Sequence, residues 1–205
     1  YLTPQELEKA EELLTSSPLS SPPRRGRGPS ATKRSGSDES FGGGEGKYLV
    51  VSPGGGESWG KDAHFKRWPV PFFAQLIEQL VREQDFEGLI ILGSSSEKKL
   101  SEELAGLVKI PVLNLTGELS LRQTAAILKN APLFVGNDGG LIHLAHALRV
   151  PVIAFYGPVD PQVYGPYPES ENAIAVFKEG LECRPCYQKF RYNSACVGRE
   201  CLQAL

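Results

Sequence analysis

The sequence predicts an α/β fold in which a parallel β-sheet carries helices on both faces, and three observations lead there. Short, continuously apolar runs recur at Tyr48–Ser52, Gly88–Leu92, Val112–Leu115, Leu133–Val135, Val152–Tyr156 and Ala173–Phe177. Most lack the alternation of a strand with one wet face, so they read as strands buried on both sides. Amphipathic stretches of helical length lie between them, and strands alternating with such helices imply βαβ units. In sheets of this kind ligands bind beyond the carboxyl ends of the strands, so function is sought in the strand-to-helix loops.

The chain opens on Thr3-Pro4-Gln5-Glu6: an N-cap candidate, a proline at the first helical position and a glutamate placed to close a capping box. Residues 1–14 are therefore expected to hold a short charged helix, Pro4 to Leu14. Residues 15–46 are Ser, Pro, Gly and Arg with almost nothing apolar, so burial there cannot offset the entropy of ordering. A disordered linker or insertion is expected. Its basic cluster, Arg24, Arg25, Arg27, Lys33 and Arg34, reads as solvated linker charge rather than a contact to RNA or phospholipid.

Residues 47–205 have the texture of one domain. Between the first two strands, Phe72, Phe73, Leu76, Ile77, Leu80 and Val81 form one helical stripe, and Leu100, Leu104 and Leu107 form another after the second strand. Ser120-Leu121-Arg122-Gln123 opens a third helix with a capping box.

The chain has 205 residues, 40% hydrophobic and 22% charged, which suits one soluble domain plus an appendage. A formal net charge of −2 gives no general pull toward nucleic acid or an anionic membrane, so anion binding must come from local architecture. No apolar run approaches the roughly 20 residues needed to span a bilayer, and the first residues lack the pattern of a signal peptide. A cytosolic location is expected. The absence of methionine, position 1 included, reads as a piece of a longer translation product.

The strongest loop follows Leu133-Phe134-Val135, where Gly136-Asn137-Asp138-Gly139-Gly140 runs into Leu141-Ile142-His143-Leu144-Ala145-His146-Ala147-Leu148. Adjacent glycines let backbone approach a ligand, and a helix start offers unpaired N–H groups with partial positive charge. A diphosphate fits that description; a tight turn with Asp138 as a simple cap is the plainer alternative. His143 and His146 have the spacing of a metal pair but no carboxylate beside them, so His143 is expected to face the ligand and His146 to serve packing.

After the first strand, Gly55-x-x-x-x-Gly60-Lys61 opens like a P-loop, yet Asp62 stands where a magnesium-binding hydroxyl is needed. Pro69, close downstream, leaves no room for a helix there. Gly54, Gly56 and Gly60 miss the dinucleotide spacing by one residue. Nucleoside triphosphatases and dehydrogenases are thereby excluded. Lys66-Arg67-Trp68-Pro69 offers a lysine able to reach phosphates as a flexible point charge, or else ordinary surface charge. Glu97 is placed to accept hydrogen bonds from a ribose diol, or simply to favour a helix start.

The cysteines cluster near the C-terminus: Cys183-Arg184-Pro185-Cys186, then Cys196 and Cys201. The pattern reads first as a tetrahedral structural zinc site, ahead of disulfides or free thiols.

In their order, Lys66-Arg67-Trp68-Pro69, Leu113-Asn114-Leu115-Thr116-Gly117, Val135 to His143, Phe155-Tyr156-Gly157-Pro158-Val159-Asp160-Pro161 and the Cys-x-Pro-Cys tail resemble the C-terminal domain of the lipopolysaccharide heptosyltransferases, glycosyltransferase family 9. The resemblance runs from about Tyr48 to Cys201. It implies half of a GT-B architecture, in which two Rossmann-like domains face a cleft and this one holds an ADP-sugar donor. By the family's pattern Lys66 contacts phosphate and Glu97 the adenosine ribose. Asp138 contacts the sugar, Gly139, Gly140 and Leu141 give amides to the diphosphate, and His143 lines the pocket. The implied reaction is inverting transfer of a heptose to a lipopolysaccharide core acceptor, peripheral to the inner face of the bacterial inner membrane, with no cofactor required for catalysis.

Two departures accompany the resemblance. The family usually has Ser or Thr where Gly139 stands, so nucleotide or sugar preference is open. Its catalytic base is an aspartate of the N-terminal domain, so Asp138 and His143 are expected only to assist, and the Pro4–Leu14 helix reads as the interdomain connection. The rivals are a GT-B relative using another nucleotide-sugar, such as an epimerase or another glycan transferase, and a noncatalytic scaffold module.

Overall fold

The computed structural model describes residues 47–168, 171–187 and 196–205. The helix expected at Pro4–Leu14 and the linker expected over 15–46 lie outside them. Six strands form one sheet: β1 (Tyr48–Ser52), β2 (Gly88–Ile91), β3 (Val112–Asn114), β4 (Phe134–Asn137), β5 (Val152–Tyr156) and β6 (Ala173–Phe177). Their spatial order is β3-β2-β1-β4-β5-β6, and every neighbouring pair is parallel. The α-helices are α1 (Val70–Gln84), α2 (Lys98–Leu107), α3 (Leu121–Lys129), α4 (Gly140–Ala147), α5 (Pro161–Tyr164) and α6 (Glu200–Gln203), with 3₁₀ turns at Gly60–Lys66 and Ser95–Glu97.

The apolar runs serve two cores at once, because successive strand residues point to opposite faces. Leu49 and Val51 of β1, with Leu89 and Ile91 of β2, meet Phe73 and Ile77 of α1, Leu104 of α2 and Leu202 of α6. Val50, Ile90 and Phe134 instead meet Ala126, Ile127 and Leu128 of α3 and Ile142 and Ala145 of α4. Continuous hydrophobicity is what a strand covered on both sides requires.

The sheet edges depart from that expectation. β3 is only half-buried along its length, and Ile174 of β6 is 56% exposed, since an edge strand has a neighbour on one side alone. Leu107, expected on the buried stripe, is 45% exposed at the last residue of α2, while Leu104 one turn earlier is fully covered. β4 extends past the apolar run to Gly136 and Asn137, whose backbones pair with Ala154 and Phe155 whatever their side chains. A helix does form after the glycine loop: the 3₁₀ run Gly60–Lys66 ends three residues before Pro69, which caps α1. The capping box of α3 forms as expected, Ser120 N–H donating to Gln123 Oε1 at 2.9 Å and Gln123 N–H to Ser120 Oγ at 3.3 Å.

Candidate functional site

The strand order reverses between β1 and β4, and open α/β sheets bind their ligands beyond the carboxyl ends of the strands at such a reversal. Both glycine-rich loops leave from this point, Ser52 standing level with Gly136 across the pair. They touch. A Cβ on Gly139 would stand 2.5 Å from the Gly55 carbonyl oxygen, and one on Gly55 (φ +78) would stand 2.9 Å from the Asp138 carbonyl oxygen. The side-chain side of Gly139 is thus filled by the neighbouring loop. A Cβ on Gly140, by contrast, would face open space.

Asn137, at the end of β4 and 2% exposed, joins the loops. Its Nδ2 donates to the Pro53 carbonyl at 2.6 Å, and its Oδ1 accepts from Trp68 N–H at 2.9 Å. One buried amide thus fixes the glycine loop, the β4 loop and the start of α1 together.

Trp68 in turn stacks on Phe155 with ring centroids 4.1 Å apart. The segment that carries Lys66 is therefore rigidly placed.

Lys66 is not the flexible surface charge that its type suggests; it is 2% exposed. Its Nζ lies 4.0 Å from Asp138 Oδ2, donates to Ser58 Oγ at 3.1 Å and stands 5.5 Å from the centre of the Trp59 ring. Loss of water pulls the lysine below its ordinary pKa, with Asp138 and Glu97 opposing and Arg67 adding to the fall. Burial likewise raises the Asp138 carboxyl, against the pull of Lys66 and His143. Asp138 is not the helix cap, since Gly139 occupies the N-cap of α4 and no side chain caps it. The N–H groups of Gly140 and Leu141, in the first turn of α4, have no carbonyl one turn back to bond. A buried cation, a carboxylate and a helix start with spare donors thus meet where the strand order reverses.

Glu97 is equally buried and already engaged. Its Oε1 accepts from Gly56 N–H at 2.8 Å, and its Oε2 accepts from Ser94 N–H at 2.8 Å and Ser94 Oγ at 3.1 Å. Arg67 Nη2 lies 3.9 Å away, while Arg67 Nε donates to the Gly54 carbonyl at 2.8 Å. A Cβ on Gly54 would overlap the Glu97 carboxylate, so glycine is required there to admit it. Glu97 orders the glycine loop from beneath. His143 is exposed one turn into α4, and its neighbour His146 pairs through Nε2 with the Pro168 carbonyl at 2.8 Å.

The expected zinc group does not stand in the structure. All four cysteines are free thiols, ranging from Cys183, exposed, to Cys201, buried in the α1-side core. Among the described residues no three His, Cys, Asp or Glu side chains are placed to hold a metal ion. Burial, then the neighbouring Cys186, Cys196 and Cys183, push the Cys201 thiol up to about 11, with Arg184 opposing.

Lys66, Asp138 and the α4 start are brought together. In the sequence Asn137 and Arg67 stand only as parts of motifs, and nothing singles out Trp59 or Tyr187. Nothing local marks them, because their partners lie far off in sequence.

Comparison with known proteins gives a consistent picture. The profile of glycosyltransferase family 9 (heptosyltransferase) matches residues 22–195. Over 120 residues the chain is 30% identical to lipooligosaccharide heptosyltransferase 2 of Haemophilus influenzae, covering 57% of this chain and 34% of that protein. The solved E. coli ADP-heptose heptosyltransferase II superposes with a TM-score of 0.61 at 22% identity, over 90% of this chain and 49% of that one. An E. coli heptosyltransferase solved with ADP superposes with a TM-score of 0.50 at 30% identity, over 64% and 38%. The chain spans about a third of the length of the curated relatives it matches. No helix among the described residues is long and apolar enough to cross a membrane.

Proposed function

This chain belongs to glycosyltransferase family 9, the heptosyltransferases, and from that premise we propose that the crevice between β1 and β4 holds the diphosphate of an ADP-sugar donor. The observation that carries the proposal is the buried Lys66 ammonium, 4.0 Å from Asp138 and beside the start of α4. A cation held out of water with a depressed pKa at a crevice is a mark of a working site.

In this reading Lys66 and the amides of Gly139, Gly140 and Leu141 face the diphosphate. Asp138 contacts the sugar, His143 lines the same pocket, and Glu97 lies toward the adenosine ribose while ordering the loop above it. As the bond from sugar to diphosphate breaks, negative charge grows on the leaving group. Preorganised dipoles and a fixed cation favour that transition state over the bound donor. The acceptor hydroxyl, on a lipopolysaccharide core, attacks from the opposite side of the sugar, which inverts the anomeric centre. The base that takes its proton belongs to the facing Rossmann-like half of the GT-B pair. The site of action is the inner face of the bacterial inner membrane, approached peripherally.

Calorimetric titration with ADP, UDP and GDP tests the donor site. Selective ADP binding that Lys66→Ala weakens by about 10- to 100-fold is expected, the range for a desolvated charge-assisted contact. Binding of none of the three supports a noncatalytic scaffold, and preference for UDP or GDP supports a relative that uses another nucleotide-sugar.

A further inference from the structure

The Cys-x-Pro-Cys segment lies outside the donor-site residues, yet it is fastened firmly. Arg184 Nε donates to the Gly157 carbonyl at 2.7 Å and its Nη2 to the Val159 carbonyl at 2.9 Å, with its guanidinium 4.4 Å from the centre of the Phe177 ring. The N–H groups of Cys186 and Tyr187 both donate to the Pro158 carbonyl at 3.0 Å. Three successive carbonyls of the loop after β5 therefore accept from one short segment. These bonds fix the place of the side chain that ends the segment.

The side chain so placed is Tyr187. Its ring stacks on Trp59 with centroids 4.5 Å apart and an interplanar angle of 26°, and Tyr164 meets it edge-on at 5.8 Å. Trp59 precedes the 3₁₀ turn that ends at Lys66, and its ring lies 5.5 Å from the lysine Nζ. It sits between Gly56 (φ +83) and Gly60 (φ +52), where a Cβ would meet nothing within 4 Å. The Tyr187 ring is a contact to the indole from outside this loop.

We propose that Tyr187 is a positioning residue for the donor diphosphate: through the stacked Trp59 it fixes the Lys66 ammonium, so the Cys-x-Pro-Cys segment forms a wall of the phosphate pocket. The proposal rests on the donor-site reading above. In this relay the aromatic face acts and the hydroxyl does not.

The test is calorimetry on the whole chain with ADP and, separately, inorganic diphosphate. Tyr187→Ala is expected to weaken both by about fivefold, the order of a partly exposed cation–π contact between Trp59 and Lys66 being lost. Tyr187→Phe, which keeps the ring, should bind within twofold of the unsubstituted chain. In a Lys66→Ala background Tyr187→Ala should add no further loss, because a residue acting through the lysine has nothing left to act on. Should Tyr187→Ala fail to fold, Trp59→Leu reads the same relay while keeping an apolar side chain against Tyr187. Undiminished binding by Tyr187→Ala, or an equal loss with Lys66 already gone, overturns the relay and leaves the donor site standing. Failure of the unsubstituted chain to bind either probe overturns the donor site, and the relay with it.

Discussion

Lys66 and Asp138 share one problem: each is charged in water and each has lost most of its water. The lysine is held below its ordinary value of 10.5 mainly by burial, so it releases its proton at lower pH than a surface lysine does. Only the protonated form attracts a diphosphate. Affinity for ADP is therefore expected to fall as pH rises, with the fall beginning below 10.5, and the dependence should vanish in Lys66→Met. An affinity flat up to the ordinary lysine range would contradict the lysine's role. At this scale the sequence showed residue types but not environments. A lysine ahead of a helix reads equally as surface charge, and its 2% exposure follows from Ser58, Trp59 and Asp138 closing around it. Asn137 was legible as part of a loop, but its bonds to Pro53 and Trp68 span 84 and 69 residues, and no local pattern encodes them.

At the scale of elements, strands were the most legible because burial on two faces demands continuous apolar runs. β1, β5 and β6 run over the residues expected of them. The end of β4 was not, since Gly136 and Asn137 join the sheet through backbone alone. Nor was the contact between the two glycine loops, which gives Gly139 a local cause. Its backbone is extended (φ 175), which any residue adopts, so the constraint is the space occupied by Gly55 rather than strain. Gly139→Ser, which restores the hydroxyl common in the family, is therefore expected to destabilise the fold by about 1–3 kcal/mol, the range for overpacking a filled site. Chemical denaturation measures it. A serine variant as stable as the parent would show that the loops part freely.

For the molecule as a whole, the β3-β2-β1-β4-β5-β6 order matters more than any single loop, because it sets Ser52 level with Gly136, 84 residues on (136 − 52), and so brings their loops together. The alternation of strands and helices pointed to a parallel sheet, and the ordered motifs pointed to a family, but neither showed which loops would face each other. That follows from the crossover between β1 and β4. If the loops at this reversal, with the start of α4, receive a nucleotide diphosphate, backbone amide NMR during titration with ADP will show it. The largest shifts are expected on Gly140 and Leu141 and on the Gly54–Ser58 loop, and in Lys66→Ala they should require about 10- to 100-fold more ADP. Shifts confined to the exposed surface around Val163 and Tyr167, or none at all, would contradict it.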